Sequence, residues 1–414
     1  MGLLSNYVLN HGYEEQISPM KIKKKVFYLL SHPIQYQSPL MREISTLENL
    51  DLTVLFCSEE GATEYFDRQY GRKIKYDTPL LQGFNFVFLK NYSPFPSVFN
   101  NLYGLINFGV LKKLYKDKPD LLVVHGWSYL THIMAIIFAS LLGIKVALRS
   151  ENPYHQEIKK RKHILFLKKI LLGSLLFKCI DYFLYIGNKN KEFYRFYNIP
   201  ESKCFFAPYC IDNNFFKERA IKDKEERTSL RSQFNITEED HAFLFVGKLI
   251  SKKRPLDIIE ALNKVKNRSF KLILVGDGEL KDEVSRLMEE YGLSDKVILT
   301  GFINQSELPK YYSIADSFIL PSGQGETWGL VVNEAMCYGL PIVSSSTVGS
   351  SFDLVTPKTG ESFTEGNIEE LSKILSNFTR DTSHLEHSYI SKYIEKYSFK
   401  TVCNSISQIV HNTD

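Results

Sequence analysis

Short, unbroken apolar runs recur along this chain, each followed by a segment of helical rhythm. That alternation narrows the fold more than any other feature. Lys23-Lys24-Lys25 leads into the first run, Val26 to Leu30. Such runs mark strands buried on both faces of a parallel sheet. A helical segment from Pro39 to Leu47 follows, then Leu52 to Phe56. The same reading predicts strands at Phe84 to Leu89, Leu121 to Val124, Lys145 to Leu148, Tyr182 to Ile186 and Cys204 to Ala207. Residues 213–240 interrupt the pattern with crowded charge, as in Lys222-Asp223-Lys224-Glu225-Glu226-Arg227. This segment reads as an interdomain connection plus the first polar helix of the next unit. A second series follows, with strands at Ala242 to Val246, Lys271 to Val275, Lys296 to Leu299, Ser317 to Leu320 and Pro341 to Ser344. Helices at Leu256 to Val265, Leu280 to Tyr291 and Leu308 to Ala315 lie between them. The chain closes in a helical region, His387 to Val410, broken near Ser398. Strand–helix alternation in two series predicts two doubly wound α/β domains facing one cleft.

The domain limits on this reading are 21–212, 213–385 and a helical region at 386–414 that packs back on the first domain. Residues 1–20 are either a disordered extension or sequence upstream of a start at Met20. They lack the basic start and apolar core of a signal peptide. Asn6 stands where myristoylation wants Ser or Thr. Six scattered cysteines without a C-x-x-C pair fit free thiols in a reducing cytoplasm. A Cys/His metal site is not expected. The net charge of +4 over 414 residues is too small to imply nucleic acid. The most lipid-like stretch, Trp127 to Ile144, is short for a membrane span and contains His132, so it reads as a buried helix.

Chemistry concentrates after the second-series strands. Two glutamates, Glu326 and Glu334, stand eight residues apart around Gly325-Glu326-Thr327-Trp328-Gly329-Leu330. Helical rhythm places Glu326 at a helix entrance and Glu334 two turns into its body. A helix entrance exposes unpaired N–H groups that suit a phosphate, and a carboxylate further on can accept from paired hydroxyls. Gly247 turns the chain after a strand, and Lys248 and Lys253 follow where two ammonium groups could reach a diphosphate or simply form a basic loop. Gly276-Asp277-Gly278 and Gly301-Phe302-Ile303 follow two more strands, as ligand-approaching turns or plain connections.

In order, these motifs resemble the nucleotide-sugar domain of family 4 retaining glycosyltransferases of GT-B fold. The resemblance rests on Gly247-Lys248-Leu249 with Lys253, Gly276-Asp277-Gly278, Gly301-Phe302, the Glu-x7-Glu pair, and Glu334-Ala335-Met336 before Gly339-Leu340-Pro341. It covers roughly residues 242–365. It implies that Glu326 holds the donor sugar and stabilises the reacting centre, that Glu334 binds ribose hydroxyls, and that backbone amides near Thr327, Trp328, Gly329 and Leu330 hold the diphosphate. Lysine at 248 departs from the usual arginine and loses its bidentate fork. The usual glycine pair is Gly349-Ser350 here.

The first half matches more loosely. Leu30 to Pro39 looks like the family's first strand and loop but lacks its glycine-rich turn. His32 and Gln35 are candidates for contacting acceptor or donor, or shape the loop. His125, after the Leu121 strand, looks like the family histidine that touches the donor sugar. Arg149 and Glu151, ending the next strand, point toward the same rim. Glu151 could bind acceptor, orient His125 or form an ordinary salt bridge. Lys159-Lys160-Arg161-Lys162 and the apolar run to Leu172 fit either an anionic membrane surface or a core-packed helix with a basic edge.

The expected activity is retaining transfer from a nucleoside-diphosphate sugar, UDP rather than GDP, to a glycan that could be lipid-linked. It needs no cofactor or bound metal, and the enzyme would be cytoplasmic or peripheral on the inner membrane face. A sugar-nucleotide epimerase and a non-catalytic nucleotide-sugar or glycan-binding subunit are the alternatives.

Overall fold

The computed structural model describes residues 23–62, 65–67, 72–74, 77–99, 101–265 and 269–413. The expectations for residues 1–20 lie outside them. In chain order the strands of the first half are β1 (Lys24–Leu30), β2 (Leu50–Phe56), β3 (Tyr65–Asp67), β4 (Arg72–Ile74), β5 (Asn85–Phe88), β6 (Leu121–His125), β7 (Lys145–Ser150), β8 (Tyr182–Tyr185) and β9 (Cys204–Phe206). Seven form a parallel sheet in the order β5-β2-β1-β6-β7-β8-β9. β3 and β4 make a small antiparallel pair. The second half supplies β10 (His241–Val246), β11 (Phe270–Val275), β12 (Val297–Gly301), β13 (Ser317–Leu320), β14 (Ile342–Ser345) and β15 (Gly360–Phe363). They form a second parallel sheet, β12-β11-β10-β13-β14-β15.

The apolar runs explain both sheets. Along β1, Phe27 and Leu29 pack into one core while Val26, Tyr28 and Leu30 pack into another on the opposite face. Successive side chains of a strand point to opposite faces, so a strand covered on both must be apolar throughout. The short strands β3, β4 and β15 are not among those expected from the sequence. β15, Gly-Glu-Ser-Phe, is an edge strand with a single large apolar residue, and nothing in its composition reads as a strand.

Charged residues 213–233 form one continuous helix, Asn213–Gln233, capped by Asp212, whose Oδ1 accepts from Phe215 N–H at 3.0 Å. The stretch from Trp127 holds the helix Leu130–Leu141, whose inner face buries Thr131, His132, Ala135, Ile136 and Ala139. Among the described residues, no helix is long and apolar enough to cross a membrane. At the C-terminus, Ile390 and Ile394 belong to the second sheet's core. The final helix, Phe399–His411, sends Val402, Ile406 and Val410 into the first sheet's core. The six cysteines are free.

In each sheet the strand order reverses direction beside its first strand, between β1 and β6 and between β10 and β13. Loops leaving adjacent strands at such a point diverge to opposite faces and open a crevice at the carboxyl ends. His125 ends β6, and His32, Gly247 and Glu326 lie on the loops that leave β1, β10 and β13.

Candidate active site

The loops after β10, β11 and β12 are laced together. Gly247 N–H donates to Val275 O and Gly276 N–H donates to Gly301 O, both at 2.9 Å. Gly276 has φ +148°, and a Cβ there would lie 1.8 Å from Gly247 O. Only glycine permits that approach. These loops, with Gln35, Lys248, Phe302, Gln305 and Glu334, line a cavity of about 240 Å³. Gln35 reaches it from the first domain, so the cavity draws on both.

Glu334 sits differently from the expectation. The helix that carries it runs Val331–Cys337, so Glu334 occupies its first turn rather than its second. Residues 326–330 remain a loop because Gly329 takes φ +87° and the Trp328 indole is pulled inward. Trp328 is 3% exposed; its Nε1–H donates to Asn333 Oδ1 at 2.9 Å, and its ring stacks on Tyr209 and packs at a tilt against Tyr397. Its side chain is a wedge between the domains, and its carbonyl accepts from Ser350 N–H at 3.1 Å. Among the described residues, the amides of Trp328, Gly329 and Leu330 donate to no protein acceptor. The helix is only seven residues long, so individual N–H groups matter here more than a macrodipole. Glu334 accepts from Tyr312 O–H at 2.6 Å and from Gln305 Nε2 at 3.3 Å. Burial pushes its carboxyl up to about 7, against the pull of these two donors.

Glu326 is also buried, but it ionises readily. Burial alone would raise it; the ammonium groups of Lys253 and Lys252 and the Ser322 hydroxyl outweigh burial and hold it below the usual range. Lys253 Nζ pairs directly with Glu326 Oε2. Lys253 ends the turn Ser251–Lys253, after which Arg254 takes a left-handed conformation and Pro255 opens the next helix. The two glutamates thus differ in charge tendency: one is held anionic by lysines and the other is close to neutrality.

On the first domain, His125 Nε2 lies 2.8 Å from Glu151 Oε1. The same oxygen accepts from Tyr209 O–H, and Tyr36 O–H lies 2.7 Å from Tyr209 O–H. Burial would raise Glu151, but the bonds from His125 and Tyr209 and the charge of Arg149 hold it below its usual range. Arg149 does not reach the rim. It is 1% exposed, its Nη2 donates to Pro208 O at 2.8 Å, and its guanidinium lies over the Tyr209 ring. It braces the loop behind the site because β7 turns that side chain into the interior. His32 bonds to Ser31 Oγ at 2.9 Å, and burial lowers it to about 4, so it is neutral at neutral pH. It does not line the cavity that Gln35 reaches.

Several site residues escaped sequence reading. Tyr209, Tyr312 and Gln305 carry no periodic signal and are brought in only by packing. Gln156 is another: its Nε2 donates to Glu326 O at 3.3 Å across the domains, while neighbouring His155 bonds to Thr347 O at 3.1 Å. Among the described residues, no group of three or more His, Cys, Asp or Glu side chains could hold a metal.

The basic segment forms the helix Lys162–Lys168, continued by a π-helical stretch, Lys169–Leu175. Neither buries a residue. Phe166 is 68% exposed and Leu175 59%. Glu157 ties Lys160 and Lys168 to the domain and Leu172 packs against the first domain's core, while Ile164, Phe166, Leu167, Ile170, Leu171 and Leu175 are exposed, so the segment is core-packed only in part.

Residues 226–396 match the family model of glycosyl transferases group 1. An uncharacterized glycosyltransferase of Methanocaldococcus jannaschii is 35% identical over 126 residues, covering 30% of this chain and 32% of the relative. A GDP-mannose-dependent alpha-(1-6)-phosphatidylinositol monomannoside mannosyltransferase of Mycobacterium tuberculosis is 26% identical over 169 residues, 39% of this chain and 43% of the relative. The chain thus spans less than half the length of these curated relatives. Solved structures align over nearly the whole chain. A glycosyltransferase from Rickettsia africae has a TM-score of 0.72 at 14% identity, covering 95% of this chain and 99% of that one. Anabaena HepE in complex with UDP and glucose has a TM-score of 0.65 at 17% identity, covering 94% and 100%. With the two parallel sheets, these likenesses show the GT-B fold.

Proposed function

We propose, from the group 1 glycosyl transferase match across residues 226–396, that this chain transfers a sugar from a nucleoside-diphosphate donor to a hydroxyl acceptor with retention. One observation carries the reading. Glu334 opens into the same cavity as Gly247, Lys248, Gly276 and Phe302, while Glu326, eight residues earlier, is paired with Lys253. The cavity suits a nucleoside, with Glu334 accepting from ribose hydroxyls. Lys248, Lys253 and the amides of Trp328, Gly329 and Leu330 suit the diphosphate. We take UDP over GDP as the nucleotide, the one HepE holds.

The C1–O bond to the β-phosphate breaks as the acceptor oxygen bonds to C1 on the same face. The acceptor proton passes to the departing phosphate oxygen. Positive charge builds at C1 and negative charge on the diphosphate. The Glu326 carboxylate stabilises the first, and the lysines and amides the second. His125, held by Glu151, contacts the donor sugar. This chemistry needs no metal. The uncovered Lys162–Leu175 segment would seat the enzyme on an anionic membrane face and bring the cleft to a lipid-linked glycan.

The test is a screen of nucleotide sugars that follows released nucleoside diphosphate with and without glycan acceptors. Release that depends on acceptor supports transfer. Conversion of the donor sugar without acceptor would make the chain an epimerase. Donor binding with neither outcome would make it a binding subunit.

A further inference from the structure

Tyr209 follows β9 in the crossing between the two domains, where it contacts Glu151 and Tyr36 on one side and Trp328 and Asn333 on the other. Its hydroxyl donates to Glu151 Oε1, the oxygen that also accepts from His125. Tyr36, next to the cavity residue Gln35, bonds to the same hydroxyl. The ring stacks on Trp328 with centroids 6.2 Å apart, and the Arg149 guanidinium lies 5.8 Å from its centroid. Its carbonyl accepts from Asn333 Nδ2 at 3.1 Å, and Asn333 in turn holds the Trp328 indole. Tyr209 is only 5% exposed.

We infer that Tyr209 is a positioning residue that couples the donor loop of the second domain to His125 of the first. Its ring, carbonyl and hydroxyl do this together. The ring and carbonyl report the place of Trp328 and Asn333, which lie between the two glutamates in the chain. The hydroxyl holds Glu151, and through it the His125 ring. A displacement of the donor loop must therefore move Tyr209, and Tyr209 cannot move without releasing Glu151. Buried side chains with fixed hydrogen-bond partners transmit such shifts because close packing leaves no slack. The Glu151 carboxylate is faced by His125, Tyr209 and the Arg149 charge, with Tyr36 one bond further out. Loss of the Tyr209 hydroxyl removes one donor to the charged form, so Glu151 must protonate at higher pH.

The assignment rests on the transferase reading, so its test has one arm that needs no turnover. Tyr209→Phe keeps ring and backbone and removes only the hydroxyl. The δ-carboxyl ¹³C resonance of Glu151, identified by its loss in Glu151→Gln, should titrate at higher pH in Tyr209→Phe than in the wild type. In turnover, kcat should fall tenfold or more with donor KM changed less than twofold, and the acid limb of the kcat profile should move to higher pH. Tyr209→Leu should additionally raise donor KM, because the Trp328 stack is lost. An unmoved Glu151 titration in a folded Tyr209→Phe protein overturns the coupling. So does a moved titration with wild-type kcat and pH profile. If no donor is turned over, the transferase reading fails, and the carboxyl titration still decides whether Tyr209 holds Glu151.

Discussion

Replacing Glu334 with Gln should expose two consequences of burying one carboxyl. In the wild type, burial lifts Glu334 from 4.5 to about 7. Ionised, it accepts at both oxygens; protonated, one oxygen becomes a donor. A ribose diol that donates twice needs the ionised form. Donor affinity should then weaken as pH falls through 7, by roughly tenfold per unit, or about 1.4 kcal/mol. The same shift acts on stability in the opposite sense to function. Folding favours the neutral acid, so its contribution is greatest below the unfolded value of 4.5 and is lost as pH rises through about 7. The full cost of the ionised group is about 3 kcal/mol. Glu334→Gln should therefore melt higher than the wild type at about pH 8, with the gain shrinking toward about pH 5. It should also bind donor roughly tenfold more weakly at about pH 8, with no slope at lower pH. The assay is calorimetric titration with an intact nucleotide sugar, whose diphosphate takes up no proton in this range, beside melting curves at matched pH. Wild-type affinity that is flat between about pH 6 and about pH 8, or a slope that survives in Glu334→Gln, would refute the reasoning.

Glu326→Gln should reduce turnover by about two orders of magnitude or more, in line with roughly 3 kcal/mol of lost transition-state stabilisation; wild-type turnover would remove its role. Gly276→Ala sets a Cβ 1.8 Å from Gly247 O at φ +148°, so it should abolish donor binding or folding, and a variant with native melting and affinity would contradict the lacing of these loops. Activity should survive EDTA, and loss restored only by added metal is the contrary result. Flotation should show the protein on anionic vesicles, less as salt rises and less again when Lys159, Lys160, Arg161 and Lys162 become Ser. Each basic group near the surface contributes about 1 kcal/mol, and indifference to anionic vesicles at low salt would leave the uncovered helix without that role.

Local sequence determined the strands and the loops that carry chemistry. Val26 to Leu30 reads as a doubly covered strand because a short run of five consecutive apolar side chains, followed by turn and helix signals, suits a strand buried on both faces. Gly247, Gly276, Glu326 and Glu334 were legible for a related reason. Gly247, Gly276 and Glu326 follow strand ends, where ligands bind in open parallel sheets, and Glu334 follows Glu326 on the next helix. Edge strand β15 was not legible, because pairing with β14 rather than composition makes it a strand. Arg149 shows the limit most clearly. Its place beside His125 in the sheet suggested the rim, yet side-chain direction and the Pro208 carbonyl draw it into the core. The charge state of Glu334 and the links from Tyr209 to Glu151 and from Gln156 to Glu326 join residues 22, 58 and 170 positions apart, or arise from burial itself. Only tertiary structure decides these, because desolvation and hydrogen-bond partners are properties of the packed neighbourhood and not of the local chain.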